Sequence, residues 1–77
     1  MKVWEENYNN NTIRVENQWH SERLYVNGIL QDEQLGLAGR SRLWGKLPTG
    51  EIVKVSLGGV LTIQCRMFID DTIISSK

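Results

Sequence analysis

The sequence predicts an all-β protein, an antiparallel meander of about seven strands forming a small sandwich or a partly closed barrel. Three observations lead there. Apolar residues recur at every second position along much of the chain, the period of a half-buried strand. Turn-forming residues separate these stretches at short intervals. And one phrase is written twice, Arg23-Leu-Tyr-Val-Asn-Gly28 and Arg66-Met-Phe-Ile-Asp-Asp71. Each copy reads cation, aliphatic, aromatic, β-branched residue and two turn residues. Ile13-Arg-Val15 and Val53-Lys-Val55 correspond upstream, with three more residues intervening in the second copy. A repeated strand–turn–strand unit implies approximate internal symmetry, so the two hairpins are expected to be related by a pseudo-twofold axis.

Taken in order, residues 7–12 are polar and Asn-rich and read as an exposed loop after a short first strand. Ile13, Val15 and Trp19 then alternate with polar residues as the inward positions of the next strand. Asn27-Gly28 marks a two-residue hairpin, because a type I′ turn needs positive φ at both central positions. That register pairs Val26 with Ile29, Tyr25 with Leu30, Leu24 with Gln31 and Arg23 with Asp32. It sets opposite charges across the ladder. Residues 34–41, with two glycines, read as a loop.

Leu47-Pro-Thr-Gly-Glu51 predicts a three-residue hairpin loop, with Pro48 opening a type I turn and Gly50 in the left-handed position of a G1 bulge. Leu43 then faces Val55 and Gly45 faces Val53. One face carries Leu43, Leu47, Val53, Val55 and Leu57; the other carries Arg42, Trp44, Lys46, Ile52, Lys54 and Ser56. A two-residue loop would mix the two sets. After Gly58-Gly59 the longest alternating run places Leu61, Ile63, Cys65, Met67 and Ile69 in the core, with Thr62, Gln64, Arg66 and Phe68 opposite. Asp70-Asp71 turns the chain into a last strand, Thr72–Ser75. Pro48 sits at a turn, where sheet geometry tolerates it.

At 77 residues the chain is one domain. A domain of this size buries only about 60% of the surface its unfolded chain exposes. A lone Cys65 excludes an intramolecular disulfide, and no Cys/His ligand cluster offers a metal site, so packing or oligomerisation must supply stability. Nine basic residues balance nine acidic ones, which gives no net field toward nucleic acid or an anionic membrane. The first residues carry no apolar run fit for a signal peptide. No stretch approaches the roughly 20 apolar residues of a membrane span. A cytoplasmic protein is expected.

Candidate chemistry is sparse. His20, the only histidine, adjoins Ser21, but neighbours along a strand point to opposite faces and make no triad. Cys65 falls mid-strand on the apolar face, where a thiol ionises reluctantly. Asp32-Glu33 and Asp70-Asp71 read as turn and ladder carboxylates, because a calcium loop needs six to eight oxygen ligands at set spacing. Gly58-Gly59 has no helix behind it to bind phosphate. No catalytic residue, cofactor or metal is therefore expected, and the chain reads as a non-enzyme.

One surface feature rises above this background. Alternation places Arg42, Trp44 and Lys46 on one face with Lys54 across the hairpin, and Arg40 just before. Rings set among cations stack bases and neutralise phosphates on β-sheet nucleic-acid binders. The same face also suits a protein interface, or Trp44 covered by the stems of neighbouring cations.

Leu-Tyr-Val-Asn-Gly28, preceded by Ile13-Arg-Val15, resembles the strand–turn–strand repeat of the Fas apoptotic inhibitory molecule family. The likeness covers residues 12–31 and, more faintly, 52–74. It implies a compact β-sandwich without enzymatic activity that works through protein contacts, although this chain is shorter than the family's usual members. Leu57-Gly-Gly-Val60 and Leu47-Pro-Thr-Gly50 are also similar to segments of small uncharacterised bacterial β proteins, a likeness that brings no function.

The function expected from the sequence is a non-catalytic interaction or structural module that self-associates or binds another protein. The large rings, three Trp, two Tyr and one Phe, suit an interface. The alternative is a nucleic-acid-binding β module using Arg42, Trp44, Lys46 and Lys54.

Overall fold

A computed structural model describes residues 1–35, 40–59 and 61–77. The chain forms eight antiparallel strands and, among the described residues, no helix. The first four are β1 (Lys2–Tyr8), β2 (Asn11–Asn17), β3 (Ser21–Val26) and β4 (Ile29–Leu35). The second four are β5 (Arg40–Lys46), β6 (Ile52–Gly58), β7 (Gln64–Ile69) and β8 (Thr72–Ser76). Each set is a separate four-stranded sheet in simple sequence order. Among the described residues no ladder joins one sheet to the other, so of the two architectures left open by the sequence the molecule is the sandwich.

The two meanders carry matching registers. Ile13 faces Val26 and Val15 faces Leu24 in the first; Val53 faces Ile69 and Val55 faces Met67 in the second. The hairpins of the repeated phrase are β3–β4 and β7–β8. Both slip register one residue inside the phrase, between Leu24 and Tyr25 and between Met67 and Phe68. Their turns bond alike. Asn27 N–H donates to Thr12 O (2.8 Å), and Asn27 Oδ1 accepts from Thr12 N–H (2.9 Å). Asp70 N–H donates to Ile52 O (3.0 Å), and Asp70 Oδ1 accepts from Ile52 N–H (2.9 Å).

The bulge corrects part of the first hairpin. Val26 faces Ile29 and Tyr25 faces Leu30, but Leu24 faces Asp32 and Arg23 faces Glu33, with Gln31 as the extra residue. Arg23 therefore pairs with Glu33 (2.5 Å) and not with Asp32. Asp32 instead accepts a hydrogen bond from the Trp44 N–H (2.9 Å), and Gln31 Oε1 accepts from the Lys46 N–H (3.3 Å). The side chains released by the bulge occupy donors on the edge strand of the other sheet.

Four further expectations change. The Asn-rich stretch is a tight turn of Asn9 and Asn10 at φ 47° and 64°, which Asn tolerates, with strand pairing through Tyr8 and Asn11. Trp19 is 83% exposed, because β2 ends at Asn17 and a turn closed by Gln18 N–H to Ser21 O breaks the alternation. Residues 34, 35, 40 and 41 belong to strands, while 36–39 of the expected loop lie outside the described residues. Leu61 is 96% exposed and Ile63, just before β7, is only partly buried. There a Cβ on Gly59 would lie 1.8 Å from the Thr62 carbonyl oxygen. The chain doubles back on that glycine, so the phase of β7 does not extend to Leu61.

The β5–β6 hairpin has the expected register. Leu43 faces Val55, Gly45 faces Val53, and Gly50 takes φ 101°. Gly50 N–H donates to Leu47 O (2.9 Å). The second sheet buries Leu43, Leu47, Val53, Val55, Leu57, Cys65, Met67 and Ile69 against Trp4, Ile13, Val15, Leu24 and Val26 of the first. Sheets packed this way lie about 10 Å apart, room for one interdigitated layer of side chains.

Candidate binding face

The outward residues of the second sheet form crosswise lanes set by its register. Arg42, Ser56, Arg66 and Ser76 make one lane; Trp44, Lys54, Phe68 and Ile73 make the next. Arg40 and Gln64 flank Gly58 at one end of the sheet, and Lys46 faces Ile52 at the other. Arg42, Trp44, Lys46 and Lys54 thus share one outward face, with Trp44 opposite Lys54. Trp44 is 49% exposed.

Lys54 does more structural work than a free surface cation. Its ammonium lies 4.5 Å from the Phe68 ring centroid, 5.7 Å from that of Trp44, and 3.7 Å from Asp71 Oδ1. It therefore sits between two rings and holds both to the sheet, an attraction of about 0.5–1 kcal/mol per ring at such sites. Arg66 and Phe68 join the face through the β6–β7 pairing. The sequence showed their alternation but not which strand they lie beside.

Charge is segregated between the sheets. Residues 1–35 carry three cations against six carboxylates, and residues 40–77 carry six cations against three. Neutrality thus conceals halves of −3 and +3. On the first sheet, Arg14 meets both Glu5 and Glu16, and Arg23 meets Glu33. The Arg14 guanidinium holds the Glu16 carboxyl below its ordinary range. On the second sheet, Glu51, Asp70 and Asp71 all sit in turns at the end remote from Arg40. Among the described residues, Arg40, Arg42 and Arg66 form no ion pair. An open groove of about 720 Å³ lies against these three arginines, Ser56, Gly58 and Gln64.

The reactive residue types are placed elsewhere. His20 is exposed in the turn after β2. Cys65 is buried, and burial pushes its thiol up to about 12, where almost none is thiolate at neutral pH. Glu22 is 5% exposed, accepts a hydrogen bond from Ser41 Oγ, and has its carboxyl pushed up by burial. Among the described residues no three His, Cys, Asp or Glu side chains gather as a metal site, and no helix is long and apolar enough to cross a membrane.

No protein family, curated protein or solved structure matches this chain at a significant level.

Proposed function

We propose that this chain is a non-catalytic binding module that holds an anionic partner on the solvent face of the β5–β8 sheet. The observation that carries the reading is the unpaired set Arg40, Arg42 and Arg66 beside an exposed Trp44. Like charges gathered without counter-charges repel one another, and an anion laid across them relieves that repulsion. The first sheet, where Arg14 and Arg23 are already paired with Glu5, Glu16 and Glu33, offers no such gain. A buried, protonated Cys65 and a lone exposed His20 leave no nucleophile–base pair to set against this reading.

Ion exchange tests it. At neutral pH a chain of zero net charge with evenly mixed charges passes through a sulfonated matrix. This one should be retained at low salt, and Arg42→Glu with Lys46→Glu should abolish retention. Flow-through of the unaltered protein removes the proposal.

Self-association is the second reading, favoured by a different surface. The β2–β3 and β6–β7 connections and the end of β4 meet at one end of the sandwich, where Trp19, Leu35 and Leu61 are exposed. Large apolar side chains gathered at one end suit a protein contact. The resemblance to the Fas apoptotic inhibitory molecule family points to the same kind of partner. Sedimentation equilibrium decides between a dimer and a monomer. We also take the two meanders as copies of one unit, a reading supported by their equal registers, bulges and turn bonds.

A further inference from the structure

The geometry points to a single-stranded nucleic acid as the occupant of the second-sheet face, its phosphates held by Arg40, Arg42 and Arg66 and a base stacked on Trp44. This rests on the anion-binding reading above and adds the chemistry of the ligand. Arg42 and Arg66 flank Ser56 from the two neighbouring strands, two strand spacings or about 10 Å apart. Guanidinium groups bind phosphate through two parallel N–H donors, and long arms over this distance reach the same or successive phosphates. Ser56 between them and Gln64 at the groove wall supply neutral donors.

The neighbouring lane supplies what a simple anion site lacks. Trp44 lies one outward position along β5 from Arg42, with the Lys54 ammonium 5.7 Å from its ring centroid and about half of the residue open to solvent. A base stacked on an aromatic ring is worth about 1–3 kcal/mol and demands no particular sequence. Phe68 is half-buried under the Lys54 ammonium, so Trp44 is the open platform and Phe68 its support. A duplex hides its bases from such a ring, and this face projects no helix into a groove. An apolar protein partner would leave the three arginines without counter-charges. The first-sheet face, where Arg14 and Arg23 are paired with three carboxylates, gives a strand no comparable track.

The test uses the intact protein and fluorescence anisotropy of a labelled single strand of roughly ten nucleotides, within the site size of small β modules. Competitors are the corresponding duplex and polyglutamate of equal total charge. The single strand should bind at least about tenfold more tightly than either competitor, the loss expected for one missing stack. Arg42→Gln and Arg66→Gln should each flatten the slope of log affinity against log salt by about 0.7. Trp44→Ala should weaken binding about tenfold with the slope unchanged. Trp44→Phe, which keeps a ring, should bind nearly as the parent does and covers the case in which alanine disturbs the fold. Equal affinity for polyglutamate or duplex overturns the nucleic-acid assignment, as does indifference to loss of the Trp44 ring, while retention on the ion exchanger would leave the anion-binding reading standing. Failure of both assays removes both.

Discussion

Replacing Asp70 by alanine should destabilise the protein by about 2 kcal/mol, from two separable contributions of about 1 kcal/mol each. Asp70 sits at φ 46°, the first of two left-handed residues in the β7–β8 turn. Its own N–H continues the β6–β7 ladder to Ile52 O, but a left-handed residue turns its carbonyl away from the neighbouring strand. Oδ1 takes the carbonyl's place and accepts from the Ile52 N–H at 2.9 Å. Alanine loses that bond and must adopt a conformation that Asp and Asn visit more readily. The bond is exposed, so water competes for both partners and its contribution is that of an ordinary hydrogen bond and not of a buried one to a charged acceptor. Glycine isolates the second part: it accepts the positive φ, loses only the acceptor, and should cost about 1 kcal/mol. Asparagine keeps both properties and should cost less than about 0.5 kcal/mol. Urea denaturation followed by tryptophan fluorescence measures all three, provided the slope with denaturant is unchanged. The reasoning is refuted if alanine and glycine lose equal amounts, because backbone strain would then contribute nothing. Asparagine losing as much as alanine would also refute it.

In the core, Met67→Ala should cost about 2–5 kcal/mol, because the side chain is fully buried between the sheets. Ile63→Ala should cost roughly 1 kcal/mol, since Ile63 precedes β7 and is only partly covered. The reverse order in denaturant unfolding would contradict the placement of both. Glu22→Gln should change how stability depends on pH. Burial raises the folded-state pKa of Glu22 above its unfolded value of about 4.3, so the folded protein binds the proton more strongly. Stability from this group is full below about pH 4.3 and declines as pH rises through the folded pKa. Glutamine removes that decline, and the variant should gain on its parent as pH rises above about 4.3. A difference that does not vary with pH would show that Glu22 is not held in a raised state. Glu6 acts oppositely. Hydrogen bonds from Lys77 and Ser75 lower its pKa, so its contribution is present above about pH 4.3 and lost as pH falls through the folded value.

What the sequence revealed was whatever depends on alternation and turn chemistry alone. Leu43 and Leu47 before the loop, and Val53, Val55 and Leu57 after it, keep the two-residue period on each side, and Pro48 and Gly50 specify a single loop length, so the β5–β6 register was legible in full. The β3–β4 hairpin was legible only as far as Tyr25. A bulge one residue beyond it shifts every later pair, and the side chains it redirects, Asp32 and Gln31, find their donors on the other sheet at Trp44 and Lys46. Long-range acceptors of this kind leave no local signature. Trp19 and Leu61 misled because a correct apolar period was extended past strand ends, and only the close approach at Gly59 reveals where the second one breaks. On the candidate face, Arg42, Trp44, Lys46 and Lys54 followed from one hairpin. Arg66 and Phe68 required the neighbouring strand, whose register is set by Asp70 bonding to Ile52.

The edges of the sandwich bear on the proposed use of a sheet face. An open edge strand is the usual place for a β protein to capture another chain, through unpaired N–H and C=O groups. On β5, Asp32 and Gln31 occupy the Trp44 and Lys46 donors. The fit is close: a Cβ on Gly45 would lie 3.0 Å from that of Gln31, so glycine lets the two strands approach. On the opposite side, Ser75 Oγ donates to Glu6 (3.0 Å), Lys77 pairs with Glu6 (2.8 Å), and Lys2 Nζ donates to Ile63 O (3.3 Å). Side chains thus tie the two sheets along both margins, where a barrel would use backbone ladders. An added strand at β5 would have to displace these side-chain acceptors before pairing. The outward arginines, by contrast, surrender only water when an anion arrives. On the proposed reading, an anionic partner would therefore favour the face, where charge is uncompensated, over a margin whose polar groups are already engaged.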